Sequence, residues 1–332
     1  MSLIELKNIS MSFAKKGKLF QKETKIDVLR EINLDIEEGE IVAIVGESGC
    51  GKTTIGKIIT GLLKPTQGEI LFQGKSLYKF DLGSFSKTRE LIQFIQQDSY
   101  AALNPVRTID QSLSAPILHH EKHLSHVEVE QKIARLMEMV GLTPPEQFLE
   151  KYPHMLSGGQ RQRILMARAI SFEPKLIVAD EPVSMIDVSM RLSILNLMSQ
   201  LNQELHISFV YITHDLATAR YIAKNGKICV MYLGEIVELG PVDTLLSNPR
   251  HPYTQALLTA VPIPDPKLAK KAREIPVKSM DISKLEARPV GCSFYDRCPY
   301  ACEKCKEKIS YTEVDGVKIK CCRVGEIPKW KN

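Results

Sequence analysis

What the 332-residue sequence lacks narrows its reading first. No apolar run approaches the roughly 20 residues that cross a bilayer; the longest pieces, around IGKIITGLL and KLIVAD, stop well short. Any membrane role is therefore expected to be peripheral, through a partner. The opening MSLIELKNIS has no basic flank followed by an apolar core, so it is not expected to act as a secretory signal. A large excess of charge is also missing. Against 39 Asp and Glu stand 44 Lys and Arg, and a net charge of +5 over this length gives no basis for nucleic-acid binding. There is no internal repeat, low-complexity tract, long coiled-coil insertion or concentrated basic stripe. Cysteine is scarce through most of the chain, where Cys50 and Cys229 stand alone; the other six of the eight fall between residues 292 and 322.

What remains is ordinary globular composition with 44% hydrophobic residues, enough at this length to bury a substantial core. SLIELKNISMSF and EGEIVAIVGESG read as strands, and GKTTIGKIITGLL shifts to helical spacing. KLIVADEP and ISFVYITHD repeat the short apolar strand ending in polar residues. Such strands alternating with helices predict a mainly parallel sheet covered on both faces. Between residues 98 and 157 the texture turns helical; SHVEVEQKIARLMEMVGL carries a helical face and ends on Gly141, a plausible C-cap. Prolines cluster after residue 250, in NPRHPYTQALLTAVPIPDP, where a boundary is placed.

GESGCGKTT, Gly46 to Thr54, matches the pattern G-x-x-x-x-G-K-[ST] and sits after the strand IVAIV, opening a helix. Glycines let backbone N–H groups wrap phosphates, and the helix start adds positive potential. Gly46, Ser48, Gly49, Cys50, Gly51, Lys52, Thr53 and Thr54 are therefore assigned to nucleotide binding, with Lys52 on the β- and γ-phosphates and Thr53 on Mg²⁺. Cys50 fills a variable position as a small residue, not a nucleophile. The strand LIVADEP delivers Asp180 and Glu181 at its C-terminal end, where ligands bind in such sheets. Asp180 is assigned to Mg²⁺, and Glu181 to the attacking water.

LSGGQRQR, Leu156 to Arg163, just before that acidic strand, makes the chain resemble the ATP-binding cassette (ABC) family over residues 1 to about 260. Alone, SGGQ could be a helix cap, Gln97 a surface residue and His214 a structural histidine; in this order and spacing they read together. The resemblance implies an α/β fold: a P-loop NTPase, RecA-like core (residues 1–97 and 158–250) with an antiparallel β subdomain, and a helical subdomain (98–157). It assigns Gln97 of FIQQD to sensing Mg²⁺ and water, and Ser157, Gly158, Gly159 and Gln160 to the γ-phosphate of a partner's ATP. Asp187 of SMID closes the loop after the acidic strand, with Met185-Ile186 where Ala-Leu is commoner. His214 of YITHD contacts the γ-phosphate and Glu181. Phe13 is assigned to adenine stacking, with Phe20 nearby as the alternative. The catalytic set is then Glu181, His214 and Gln97. Two such chains, identical or homologous, are implied to pair head to tail.

NPRHPYTQALLTAVP and QQDSYAALNP are similar to ATPase subunits of dipeptide, oligopeptide and nickel importers. The implied function is ATP hydrolysis that powers a peptide importer. The chain would work at the cytoplasmic face of the membrane with transmembrane permease subunits and, indirectly, a peptide-binding protein, and without nucleic acid. A nickel importer subunit and a soluble non-transport cassette ATPase are the alternatives. In the cysteine-rich extension (251–332), GCSFYDRCPYACEKC resembles the peptide-importer pattern of Cys292, Cys298 and Cys305, completed by Cys321, which in several relatives binds a 4Fe-4S cluster. Four thiolates at irregular loop spacing can wrap a cubane. Zn²⁺ is the alternative, because Cys302-x2-Cys305 is a knuckle-like pair, and Cys302 and Cys322 leave the ligand choice open.

Overall fold

The computed structural model describes residues 2–15, 24–78, 87–261, 276–281 and 289–330. Strands β3 (Ile41–Val45), β7 (Leu176–Asp180) and β8 (Ser208–Thr213) are buried at every position, the pattern of strands covered on both faces. With β6 (Ile92–Ile95) and β9 (Lys227–Tyr232) they form parallel pairs in the order β9-β3-β8-β7-β6. β10 (Glu235–Pro241) returns antiparallel on β9. The hairpin of β11 (Thr312–Val314) and β12 (Val317–Ile319), from the far end of the chain, extends the same sheet to eight strands.

A second sheet, β2-β1-β4-β5, is antiparallel and comprises β1 (Ser2–Lys15), β2 (Thr24–Glu37), β4 (Gln67–Phe72) and β5 (Lys75–Ser76). Its inward residues, among them Leu6, Ile32, Leu34 and Ile70, share one buried cluster with Val42 and Ile44 of the main sheet and Ile55 of helix α1 (Lys52–Ile59). Gly56 sets the approach of α1: a Cβ there would lie 2.8 Å from Ile212 Cδ1.

The stretch read as helical holds α2 (Ile109–His120), α3 (His126–Met139) and α4 (Glu146–Leu149). Thr108 with Gln111, and Ser125 with Glu128, close capping boxes at the first two. Gly141 leaves α3 at φ +71°; its N–H donates to Glu138 O and that of Leu142 to Met137 O, at 2.9 and 2.8 Å. This is the glycine stop predicted from sequence. Helices α5 (Gly158–Ile170), α6 (Val188–Leu205) and α7 (Leu216–Ile222) connect back to the main sheet. After α8 (Val242–Ser247) and α9 (Pro252–Thr259), Phe294, Cys298, Val317, Ile319 and Cys321 join the same buried cluster as Phe209, Val230 and Tyr232. Residue 250 thus marks a change in composition and not a gap in packing.

Candidate nucleotide site and cysteine cluster

The glycine-rich loop leaves β3 at its C-terminal end and enters α1. Gly49 and Gly51 adopt φ +80° and +101°, conformations glycine reaches without steric cost. Gly46 is forced by proximity, since a Cβ would fall 2.2 Å from Met231 O. Ser48 and Gly49 are exposed while Cys50 is buried, and burial raises its thiol pKa, as suits an inert residue. Lys52 donates from Nζ to Gly46 O and Glu47 O, at 2.7 and 2.9 Å. Thr54 is half-buried in the first turn of α1.

Thr53 donates its hydroxyl to Asp180 Oδ2 at 2.7 Å, so the two residues assigned to one cation meet. Asp180 is buried, which raises its carboxyl pKa, an effect the Thr53 hydrogen bond opposes. One residue on, Glu181 takes φ +45°, and its N–H donates to Ile212 O at 2.9 Å. Its Oε1 lies 3.0 Å from His214 Nδ1, and its Oε2 accepts from Gln97 Nε2 at 3.1 Å. Glu181, His214 and Gln97 are thus one constellation beside Thr53 and Asp180.

Ser157 caps α5 as predicted: Oγ accepts from Gln160 N–H at 3.2 Å, and Gln160 Oε1 accepts from Ser157 N–H at 2.9 Å. Gly158 lies against the loop that ends in Asp187, where a Cβ would be 3.2 Å from Met185 O. Asp187 precedes α6 without a side-chain capping bond. Ser157 and Asp187 are exposed, and so are Met155, Met185, Val188 and Met190 around them. Phe13 is exposed on β1, paired across the strand with Ile26; Phe20 lies outside the described residues.

HPYT is the proline-bounded helix start that its residues allow, and it also makes a contact with the phosphate loop that the sequence did not indicate. His251 Nδ1 accepts from Tyr253 N–H at 3.1 Å, capping α9, with Pro252 in the first turn. Burial lowers the His251 pKa to about 3, which keeps the ring neutral and able to accept. Tyr253 reaches the phosphate loop, where its hydroxyl oxygen accepts from Glu47 N–H at 2.9 Å. Arg297, beside Cys298, also reaches Glu47. The motif flagged Tyr253; nothing in the pattern flagged Arg297.

Among the described His, Cys, Asp and Glu side chains, the compact trio with ligand atoms within 4.8 Å of one another is Cys302, Cys305 and Cys322. Cys305 Sγ is 3.7 Å from Cys302 Sγ and 3.4 Å from Cys322 Sγ. Of the expected ligands only Cys305 belongs to this trio. Cys292, Cys298 and Cys321 are outside that trio, and Cys292 is tied to Cys305 through its N–H, which donates to Cys305 O at 2.8 Å. Burial raises their thiol pKa values, that of Cys292 to about 12 and that of Cys321 to about 11, and each pair within Cys292, Cys298, Cys305 and Cys321 interacts electrostatically in the same direction.

A phosphate loop, an acidic strand end and a capped glycine helix start on one parallel sheet define an ABC-type nucleotide-binding subunit. The ABC transporter family model matches residues 29–184, and that of the oligopeptide/dipeptide transporter C-terminal region matches 237–305. The dipeptide transport ATP-binding protein DppF of Haemophilus influenzae is 41% identical over 312 residues, 93% of each chain. The oligopeptide transport ATP-binding protein OppF of Escherichia coli is 41% identical over 306 residues, 91% of this chain and 90% of that one. Among solved structures, the ATP-binding cassette MJ0796, a dimer bound to ADP and Pi, aligns with TM-score 0.63 at 32% identity, covering 72% of this chain and 98% of its own. The chain belongs to the ATP-binding subunits of ABC transporters that carry the oligopeptide/dipeptide C-terminal region. Among the described residues no helix is long and apolar enough to cross a membrane.

Proposed function

We propose that this chain hydrolyses ATP to power an importer of dipeptides or oligopeptides, with Glu181 as the general base. The observation that carries the reading is Glu181 held between Gln97 and His214, one residue past the contact of Thr53 with Asp180. Phosphoryl transfer to water needs positioning and charge neutralisation more than covalent help. Glu181 orients the water and accepts its proton; His214 and Gln97 fix both carboxylate oxygens so that the base cannot turn away. Lys52 and the N–H groups of residues 48–54 bind the phosphates. Thr53, Asp180 and Gln97 would hold Mg²⁺, which neutralises phosphate charge.

Ser157 to Gln160 are suited to a γ-phosphate supplied from outside the chain, because they start a helix whose capping Ser157 is exposed. The exposed Met155, Met185, Val188 and Met190 beside them provide apolar area for a head-to-tail partner, identical or homologous. Tyr100, Val106 and Leu118 are exposed after the Gln97 loop, and a cleft of about 470 Å³ is lined by Gln93, Gln96, His119 and Phe172 among others. A permease segment at the cytoplasmic face of the membrane would dock there, with a peptide-binding protein delivering cargo to the permease. The test is ATP turnover together with light scattering: the wild type should hydrolyse ATP, and Glu181→Gln should accumulate an ATP-dependent dimer. A monomer under all nucleotide conditions, with turnover unchanged by the substitution, would count against the reading.

In the extension, Cys292, Cys298, Cys305 and Cys321 would hold a 4Fe-4S cluster. Ligation by an iron centre would supply the positive charge needed to deprotonate these thiols, and Lys278 and Arg323 add positive charge beside Cys298. A cubane is larger than one ion and suits this set of four. The trio of Cys302, Cys305 and Cys322 favours a second reading. Its sulfur separations are close to the roughly 3.8 Å edge of a tetrahedron with metal–sulfur bonds of about 2.3 Å, as in a zinc thiolate site.

A further inference from the structure

Glu47 is a loop residue whose charge is wrong for its place, a carboxylate among groups that must receive polyphosphate. Both its oxygens accept from Nη1 of Arg297, at 3.0 and 2.8 Å, across 250 residues of sequence. Its N–H is taken by Tyr253, and its carbonyl by Lys52. Arg297 cannot follow Glu47 elsewhere. It is buried, its Nε donates to Ser279 O at 3.4 Å, and its own carbonyl accepts from Lys278 N–H at 2.8 Å. The guanidinium carbon lies 5.7 Å from the ring centre of Tyr232 and 5.5 Å from that of Phe294, the geometry of cation–π contact. The C-terminal extension therefore grips the phosphate loop at one side chain and one N–H of the same residue.

We propose that Arg297 is a positioning residue for ATP, neutralising Glu47 and holding its carboxylate back from the phosphates, and that Cys298 acts on the nucleotide site through it. Arg297 precedes Cys298 in the chain, and Phe294 O accepts from the N–H of both, at 3.1 and 2.9 Å. A shift of Cys298 is thereby passed to the guanidinium. The first part stands whatever the cysteines hold; the second rests on Cys298 being a cluster ligand.

The experiment is steady-state ATPase with the KM for ATP and kcat measured separately, on folded full-length protein. Arg297→Ala should raise KM by about tenfold or more while kcat changes less, the scale of one charge-assisted hydrogen bond. Arg297→Lys should recover part of the loss. The discriminating variant is Arg297→Ala with Glu47→Gln, which removes the stranded charge and should return KM most of the way. A KM within twofold of wild type for Arg297→Ala, or a double variant as poor as the single, overturns the positioning role. Cys298→Ser should raise KM in the wild type and add little in Arg297→Ala; full additivity overturns the coupling. Iron content measured on the same Cys298→Ser sample tests the ligand reading separately.

Discussion

His214 stands 3.0 Å from Glu181 because each lies one residue past its strand and the two strands end within one residue of each other, with Asp180 paired to Ile212. The parallel register of β7 and β8 places them together, and Glu181 N–H bonded to Ile212 O fixes the turn that aims the carboxylate. With Glu181 proposed as the general base, the contact is expected to act in the chemical step and not in ATP affinity. His214→Ala should therefore lower kcat by about 10²-fold, the scale of general-base assistance, with KM within a few fold. Gln97→Ala should lower kcat less, since it removes a neutral donor from the opposite oxygen. A rise in KM at constant kcat would place His214 in ground-state binding instead.

Asp180 and Thr53 make a second separable prediction. Burial disfavours the Asp180 carboxylate, and with one hydroxyl donor it is a costly group to keep without a cation. Asp180→Asn should raise the Mg²⁺ concentration for half-maximal turnover by about tenfold or more, while the nucleotide-free protein melts no lower than wild type. Magnesium titrations of turnover and thermal melts without nucleotide check the two halves. A lower melting temperature would make Asp180 structural.

The nucleotide site is legible in sequence because each part is local: a glycine loop between strand and helix, two carboxylates at a strand end, a serine cap followed by two glycines. The parallel core is legible for the same reason, since β3, β7 and β8 are short, apolar and bounded. What is not legible depends on contacts between distant segments. Nothing in DRCP says that Arg297 will meet Glu47, and nothing in TEVDGVKI says that its hairpin will pair with β10. The cysteines fall between these cases. The resemblance to peptide-importer subunits implies Cys292, Cys298, Cys305 and Cys321, whereas folding also brings Cys322 to Cys305, because the chain returns through the hairpin before reaching it.

That return makes adjacent cysteines distinguishable. If Cys292, Cys298, Cys305 and Cys321 hold a 4Fe-4S cluster, Cys321→Ser should lose most iron and acid-labile sulfide under anaerobic purification, and Cys322→Ser should retain them. If the compact trio holds zinc, Cys322→Ser should lose zinc and Cys321→Ser should keep it. Metal and sulfide analysis of the two variants, with the visible absorption spectrum, separates the readings.

Glu238 and His251 predict an unusual pH response at the root of the extension. Glu238 is fully buried on β10; its Oε1 accepts from the N–H groups of Arg250 and His251, yet burial raises its pKa to about 7. An acid with a raised folded-state pKa stabilises the fold fully below its unfolded value near 4.5, and that contribution is lost as pH rises to about 7. His251, lowered to about 3, acts oppositely: its contribution is present above 6.5 and is lost as pH falls toward 3. Between about pH 4.5 and 6.5 the two slopes oppose, so the wild type should be nearly flat there with respect to this pair. Glu238→Gln removes one slope and leaves the other. Relative to wild type, it should then gain on the order of 2 kcal/mol between pH 5 and pH 7, read by urea denaturation at both values. A difference that does not change with pH would mean that Glu238 is charged in the fold throughout.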